Sequence, residues 1–473
     1  MIADLKPYSE YKESGLTWLG QVPAHWEGSR VKNLARSGYN TFVDGDWIES
    51  PFIRGTGIRL IQTGNIGLGF YREKGFRYID EETFKAFGCT DFQTGDVLIC
   101  RLGDPVGRAC LAPNLGVRMI TSVDVCILKT RDDVTPAFVV YAMSAPQNLH
   151  WVGSLVRGST RDRVSRSMLG GFMIPFPPPV EQAAIVRFLD WANGRLERAI
   201  RAKWKVIARL NEQKQAVTHR TVTRGLDPSV GLKPSGIPWL GDIPQHWEIR
   251  RAKYLYREMD ERSDNGREEL LSVSHLTGVT PRSQKNITMF KAASYTGHKL
   301  CRPGDLVVNT MWAWMGALGV STYAGIVSPA YAVYRPLRPE SIVGAYMDGL
   351  LRSRPYISNI ICRSTGLRGS RLRLYPEEFF RLPIIQPPTE EQRRIVEAIQ
   401  VETGDMNSAI SRLEREIELL REYRTRLVAD VVTGKLDVRE AAERLPEEAA
   451  PATVEESVEA SDEAEPADEE VAV

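Results

Sequence analysis

Two short segments carry the densest set of groups able to grip a polyanion: RGSTRDRVSR at 157–166 and RSTGLRGSRLR at 363–373. Glycine lets a backbone come close to a partner, serine and threonine hydroxyls donate to phosphate oxygens, and an arginine fork takes either a phosphate or a guanine edge. Arg157, Ser159, Thr160, Arg161, Arg163 and Arg166 are therefore candidate DNA contacts in the first segment, with Arg363, Ser364, Arg368, Ser370, Arg371 and Arg373 in the second. Any one of these arginines alone reads more readily as a solvated strand cap than as a contact. What marks them as a pair is position, since both segments stand just before a Pro-rich stretch.

Weaker candidates follow the strand-like runs IRLI, DVLIC and DLVVN. They are Gln62, Asn65 and Arg101 in the first half, and Asn309 and Thr310 in the second, near Trp312 and Trp314. Side-chain amides can pair bidentately with adenine. A Trp pair spaced by two is more often one core and one surface residue of a strand. Catalytic motifs are missing: there is no phosphate-cradling G-x-x-x-x-G-K-[ST], no G-x-G-x-x-G and no H-E-x-x-H. Ser328-Pro329-Ala330-Tyr331 resembles a methyltransferase motif only superficially and reads as a β-turn. His25 and His246, each beside a Trp, read as parts of a packed corner rather than general bases.

The elements that position these groups come in two copies. ESGLTWLGQVPAHWEGSRVKNL (13–34) and PSGIPWLGDIPQHWEIRRAKYL (234–255) match at about twelve of twenty-two positions at an offset of 221. PPVEQAAIVRFLD and PPTEEQRRIVEAI form a second repeated block, in register at an offset of 210 from Gln182/Gln392 to Asp227/Asp437. Between the blocks, 35–170 and 256–380 share little beyond Gly-Asp before an apolar run. One scaffold presenting two different surfaces follows. The reading divides the chain into a repeated N-terminal segment (1–28), a first variable domain (29–177), a central region with a long helix (178–232), a second WLG segment (233–250), a second variable domain (251–386), a C-terminal long helix (387–445) and an acidic tail (446–473).

Glu181-Gln182 and Glu390-Glu391-Gln392 place acidic residues where a helix start favours them. Beyond, Met406, Leu413, Leu420 and Leu427 recur every seven residues, with Ile410 and Ile417 between them, as an a/d seam. Leu196, Leu210 and Val217, interleaved with Ile200 and Ile207, form the matching seam of the first copy, interrupted by Lys203 and Lys214. Equal length and register predict two antiparallel helices packed together. The stretch from Leu196 to Val222, about 27 residues or ~40 Å long, is close to one turn of B-DNA, ~34–36 Å. The fold class expected is α+β: two β-rich domains in pseudo-twofold tandem repeat, separated by two long antiparallel coiled-coil helices.

The formal charge of +1 conceals an asymmetry. The tail from Pro446 holds eleven acidic residues and no Lys or Arg, so 61 basic against 49 acidic residues leave the body at +12. A basic body points to a polyanion partner. Low hydrophobicity makes the tail disordered and solubilising. The six cysteines form no C-x-x-C pair, no metal site is read, and no apolar run is long enough to span a membrane. A cytoplasmic protein is expected.

WLGQVPAHWE and WLGDIPQHWE, the Pro-Pro-x-Glu-Gln helix starts, the helix ends VTRGLD and VTGKLD, and MWAWMGALGVSTYAGIVSPAYAVYRP (311–336) together resemble the specificity (S) subunit of type I restriction-modification enzymes. The resemblance covers nearly everything except the tail. It implies two target recognition domains, each reading one half of an asymmetric bipartite site in double-stranded DNA, joined by helices that dock two modification (M) subunits. It also implies a non-catalytic chain in a host-defence complex that binds no cofactor itself. S-adenosylmethionine, ATP and Mg would serve the M and restriction (R) subunits. A non-catalytic coiled-coil adaptor, or the recognition part of a nuclease-methyltransferase, are the alternative readings.

Overall fold

The structure is a computed structural model that describes residues 5–16, 18–156, 162–284, 294–366 and 372–446. The acidic tail beyond Pro446 lies outside the described residues. Two long helices run over Pro179–Arg224, 46 residues, and Thr389–Val432, 44 residues. Each starts directly after a strand, Met173–Phe176 or Pro383–Gln386, whose following prolines cannot donate to a sheet ladder. The chain splits into two compact units, and the split falls inside both helices. Among the described residues one unit is the chain up to Lys203 together with the stretch from Glu414 onward, the other Trp204–Leu413. Each therefore combines one variable domain, the first half of the helix that follows it, and the second half of the other helix.

Within the first unit the helical halves are antiparallel, since Glu197 meets Arg424 at 3.4 Å while Lys203, farther along, meets the earlier Glu416. In the second unit Arg220 meets Glu402 at 2.9 Å. Leu196, Ile200, Ile207, Ile410, Ile417 and Leu427 are buried. Leu210, Val217, Met406, Leu413 and Leu420, expected in the same seam, are only half-buried, and Lys203 is an ion-pair partner rather than an interruption.

The variable domains share more than their sequences show. In the first, an antiparallel sheet runs Phe42–Asp44, Val125–Leu128, Val97–Cys100, Ala109–Leu111. The second repeats that order with Tyr256–Met259, Ala332–Pro336, Leu306–Val308 and Leu318–Val320. Alternation along these strands divides the core: Val97, Ile99, Cys126 and Leu128 join the large helical core, while Leu98, Cys100, Val125 and Ile127 face a second sheet. That second sheet, Tyr78–Ile79, Ile58–Ile61, Met119–Thr121 and Asp91–Phe92, has one parallel pair at its centre. Its counterpart in the second domain is two antiparallel pairs, the hairpin of Leu271–Ser274 with Gly278–Pro281 and the pair of Lys299–Cys301 with Gly325–Val327, joined by the parallel bridge between Leu270 and Ile326. The shared Gly-Asp is a turn device. Gly95 and Gly304 take positive φ, and the carboxylates of Asp96 and Asp305 accept the amides of Gln93 and Arg302, three residues back, at 2.8 and 2.9 Å.

The repeated blocks meet at the helix starts. Gln182 and Gln392 are fully buried, each accepting from the start of a domain helix (Thr135 N–H at 2.8 Å, Val343 N–H at 2.9 Å) and donating to a strand-exit carbonyl (Pro177 and Pro387, both at 2.9 Å). Beside them Glu181 accepts from Trp26 Nε1 at 3.0 Å and from the Tyr8 hydroxyl, and its Oε2 lies 2.7 Å from His25 Nε2. His246 contacts Glu391 at the same 2.7 Å. Both tryptophans are fully buried, confirming the packed corner.

Gln392→Ala should leave the Val343 amide and the Pro387 carbonyl unpaired and cost the second unit about 1–3 kcal/mol. Amide hydrogen exchange at Val343 checks this: exchange should accelerate there and not at Thr135, the matching amide of the first unit.

Candidate nucleic-acid interface

Arg157, Ser159, Thr160, Arg161, Arg368, Ser370 and Arg371 lie outside the described residues, but the chain leading out of both segments is described. In the first unit the Val164 amide donates to Arg101 O at 3.1 Å, and Gly103 N–H to Asp162 O at 2.9 Å. In the second the Leu374 amide donates to Thr310 O at 2.9 Å, and Thr365 pairs with Arg373. Arg101 and Thr310 hold matching places after the Gly-Asp strands. The two classes of candidate, loops and strand ends, thus come together in each unit.

Several of them turn out to be builders. Asn65 is 2% exposed; its amide donates to Arg72 O and Lys74 O at 2.9 and 2.7 Å, and its oxygen accepts from Gln62 N–H, so no polar group remains for a base. Arg101 is buried, donating to Val164 O and Val123 O with Nε 3.0 Å from Asp44. Asn309 donates to the Tyr331 hydroxyl at 3.1 Å, and the Ser364 hydroxyl donates to Ile360 O at 2.8 Å. Thr310 donates to Ala330 O, and Arg363 is held by Asn359 and Glu378. Trp312 and Trp314 stack on each other around a 3-10 turn, Ala313–Met315, instead of alternating along a strand. Ser328 O accepts the Tyr331 amide, giving the expected turn.

Arg163, Arg166 and Arg373 remain at the surface. Arg163 is 2.8 Å from Asp124, and Arg166 donates to Phe42 O at 3.4 Å. Asp124 also lines an open concavity in the first unit, together with Gln62, Trp47, Lys74 and Arg77. Two buried donors mould its rim. Asn65 holds the carbonyls of Arg72 and Lys74, while Arg59, 1% exposed and flanked by the Phe76 and Tyr78 rings, donates to Gly75 O and Arg77 O. The segment so shaped displays Lys74, Phe76 and Arg77 outward, opposite the 70%-exposed Trp47. Sequence reasoning missed Trp47, Lys74 and Arg77. YREKGFRY (71–78), basic residues interleaved with aromatics, carried the signal. Burial pushes the Asp46 carboxyl in this concavity up from its ordinary value, against the Thr90 amide hydrogen bond that lowers it. Cationic forks, an amide and an aromatic face are the groups that read base edges and stack on bases or sugars.

No protein-family model matches the chain. The chain has the fold of a protein solved in work on complex assembly and conformational transition of the type I restriction-modification (R-M) system, with a TM-score of 0.58 at 16% identity, over 88% of this chain and 99% of that one. Weaker likenesses are to an HsdS subunit from Thermoanaerobacter tengcongensis (TM-score 0.42, 17% identity, 90% of this chain and all of that one) and to a type I R-M system S subunit from M. genitalium (0.34, 13%, 86% and 96%). The fold assignment rests on the first. No helix among the described residues is long and apolar enough to cross a membrane.

Asn65→Asp should keep the acceptor for Gln62 N–H but turn a carboxyl oxygen toward the Lys74 and Arg72 carbonyls. Burial and those carbonyls would raise the introduced carboxyl's folded-state pKa above its unfolded value of about 3.9. The stability deficit should therefore be small at low pH and grow as pH rises through that value. Thermal unfolding of the variant and parent from pH 4 to 7 measures it; a deficit independent of pH would show that the rim does not enclose this side chain.

Proposed function

We propose that this chain is the DNA sequence-specificity subunit of a type I restriction-modification complex. One observation carries the reading: the same Glu-Gln and His-Trp anchors recur in two units around two domains of like strand order, whose surface residues differ. A repeated scaffold with unlike faces suits a reader of an asymmetric bipartite site, one half-site per domain. Type I fold likeness adds a context in which catalysis lies elsewhere. On this reading two M subunits dock on the helices, R subunits join them, and S-adenosylmethionine, ATP and Mg are bound by those partners and not by this chain.

The test is methylation of DNA by the purified chain with and without its cognate M subunits. Alone it should transfer no methyl group; with M subunits and S-adenosylmethionine, methylation should appear at one bipartite sequence. Methyl transfer by the chain alone, or methylation without sequence preference in the complex, would overturn the reading.

Arg77→Ala resolves the role of the first unit's concavity. It should weaken or relax readout of one half-site by about 1–3 kcal/mol and leave the other half-site's preference intact, as scored by methylation of a library randomised at both halves.

A further inference from the structure

Each position kept across the duplicated 13–34 and 234–255 blocks can be asked why it was kept. Most have an internal reason that holds in both units. Ser14 and Ser235 close turns onto Leu16 and Ile237; Gly15, Gly20, Gly236 and Gly241 take positive φ; and Trp26 and Trp247 are buried. Pro23 and Pro244 pack on Gly434 and Gly225, His25 and His246 meet the helix-start glutamates, and Leu34 and Leu255 are core. Three kept positions have exposed, charged side chains: Glu27/Glu248, Arg30/Arg251 and Lys32/Lys253. Glu248 is held by Arg250 at 2.7 Å. Among the described residues no ion pair holds Arg30, Lys32, Arg251 or Lys253, and none of the four is buried. The Lys253 ammonium lies 4.7 Å from the ring of its neighbour Tyr254, a contact that Lys32, followed by Asn33, does not share, so no packing common to both units accounts for their retention.

Their placement is the same in both units. Arg30 and Arg251 end the strands Glu27–Arg30 and Glu248–Arg251, and the lysines follow on 3-10 turns pinned by buried Val31 or Ala252. In the first unit the helix Arg166–Gly171 lies on that turn, and a Cβ on Gly170 would stand 3.1 Å from Lys32 Cβ. That helix begins at Arg166, the last residue of the Arg-, Ser- and Thr-rich segment. In the second unit Arg251 lines an open groove with Arg250, Arg338, Tyr254 and Leu337, and no acidic residue lines it.

We propose that Arg30 with Lys32, and Arg251 with Lys253, grip the sugar-phosphate backbone of duplex DNA flanking each half-site. This rests on the reading of the chain as a specificity subunit. Identical cations beside unlike reading surfaces cannot tell one base sequence from another. They suit a partner that is the same at both half-sites, and the phosphate backbone is such a partner. They would set register and contribute affinity without selectivity.

The experiment uses the complex assembled with M subunits and a duplex bearing its methylated site, with binding measured across a salt series. Neutralising one pair (R30A/K32A or R251A/K253A) should reduce the slope of log affinity against log salt by about 1.8, ~0.9 for each phosphate that no longer meets a cation. The preference for the site over random duplex should not change, and Arg30→Lys, which keeps the charge, should keep the slope. An unchanged slope in a normally assembled, methylating complex overturns the proposal and leaves the specificity-subunit reading standing. Loss of M-subunit assembly with an unchanged slope for the chain alone also overturns it, by assigning the cations to an acidic protein surface. A parent complex that shows no site preference brings down the specificity-subunit reading and this proposal with it.

Discussion

The buried glutamine at the start of each long helix is the constraint from which the architecture hangs. Gln182 and Gln392 each sit where three backbones converge: the end of a domain strand, the first turn of a domain helix and the first turn of the long helix. An unpaired N–H and an unpaired carbonyl would be buried there, and only a primary amide offers an acceptor and a donor at that spacing. Glutamate would lack the donor, and an apolar residue would lack both. The adjacent Glu181 or Glu391 ties the same turn to the His-Trp segment lying before the variable domain. Entry and exit of each domain are thus fastened to one helical turn, and whatever the domain does on its far side is held from that point.

Between entry and exit the two domains keep a strand order while exchanging nearly every residue. This is possible because a sheet buried on both sides asks only for apolar side chains in alternating directions. Val97 to Cys100 and Leu306 to Val308 meet that demand with different residues. The loops are less permissive. Where the first domain turns Arg72–Arg77 outward, the backbone carbonyls it would bury are taken up by Asn65 and Arg59, and Arg108 does the same for Thr63 and Ile66. Exposed residues between such struts, Lys74 and Arg77 among them, are free to change without unfolding the loop.

This division explains what was legible in the sequence. The duplication, the long helices and the packed His-Trp corners were readable because each is an internal pattern: a repeat, a seven-residue spacing, an acidic first turn. Asn65, Arg101 and Asn309 read as base contacts because a donor after a strand looks the same whether it points to solvent or to a carbonyl. Only the fold supplies that direction. The seam was legible in type but uneven in depth. A straight helix drifts relative to a seven-residue repeat, and Leu413 and Leu420 end half-buried while Ile410 and Ile417 are covered. The common strand order was illegible because apolar alternation does not record which strands pair.

The two His-Trp corners also differ in how the chain reaches them. In the second unit Gly225, at the end of the long helix, meets Trp247 only a short distance along the chain, whereas in the first unit Trp26 is met by Gly434 from the far end of the chain. Closing the longer loop costs about 2–3 kcal/mol more, taking the logarithmic dependence on loop length. The first corner has extra bonds where the second has none. Trp26 Nε1 and the Tyr8 hydroxyl both donate to Glu181, Asp437 N–H donates to Lys6 O, and the Tyr11 hydroxyl donates to Lys435 O, while the Trp247 indole nitrogen is buried without a partner. A hydrogen bond to a charged group contributes about 1.5–3 kcal/mol, so the two to Glu181 are enough to offset the longer closure. The duplicated corner is therefore one device in two settings, reinforced in the copy whose halves are not already held together by the neighbouring chain.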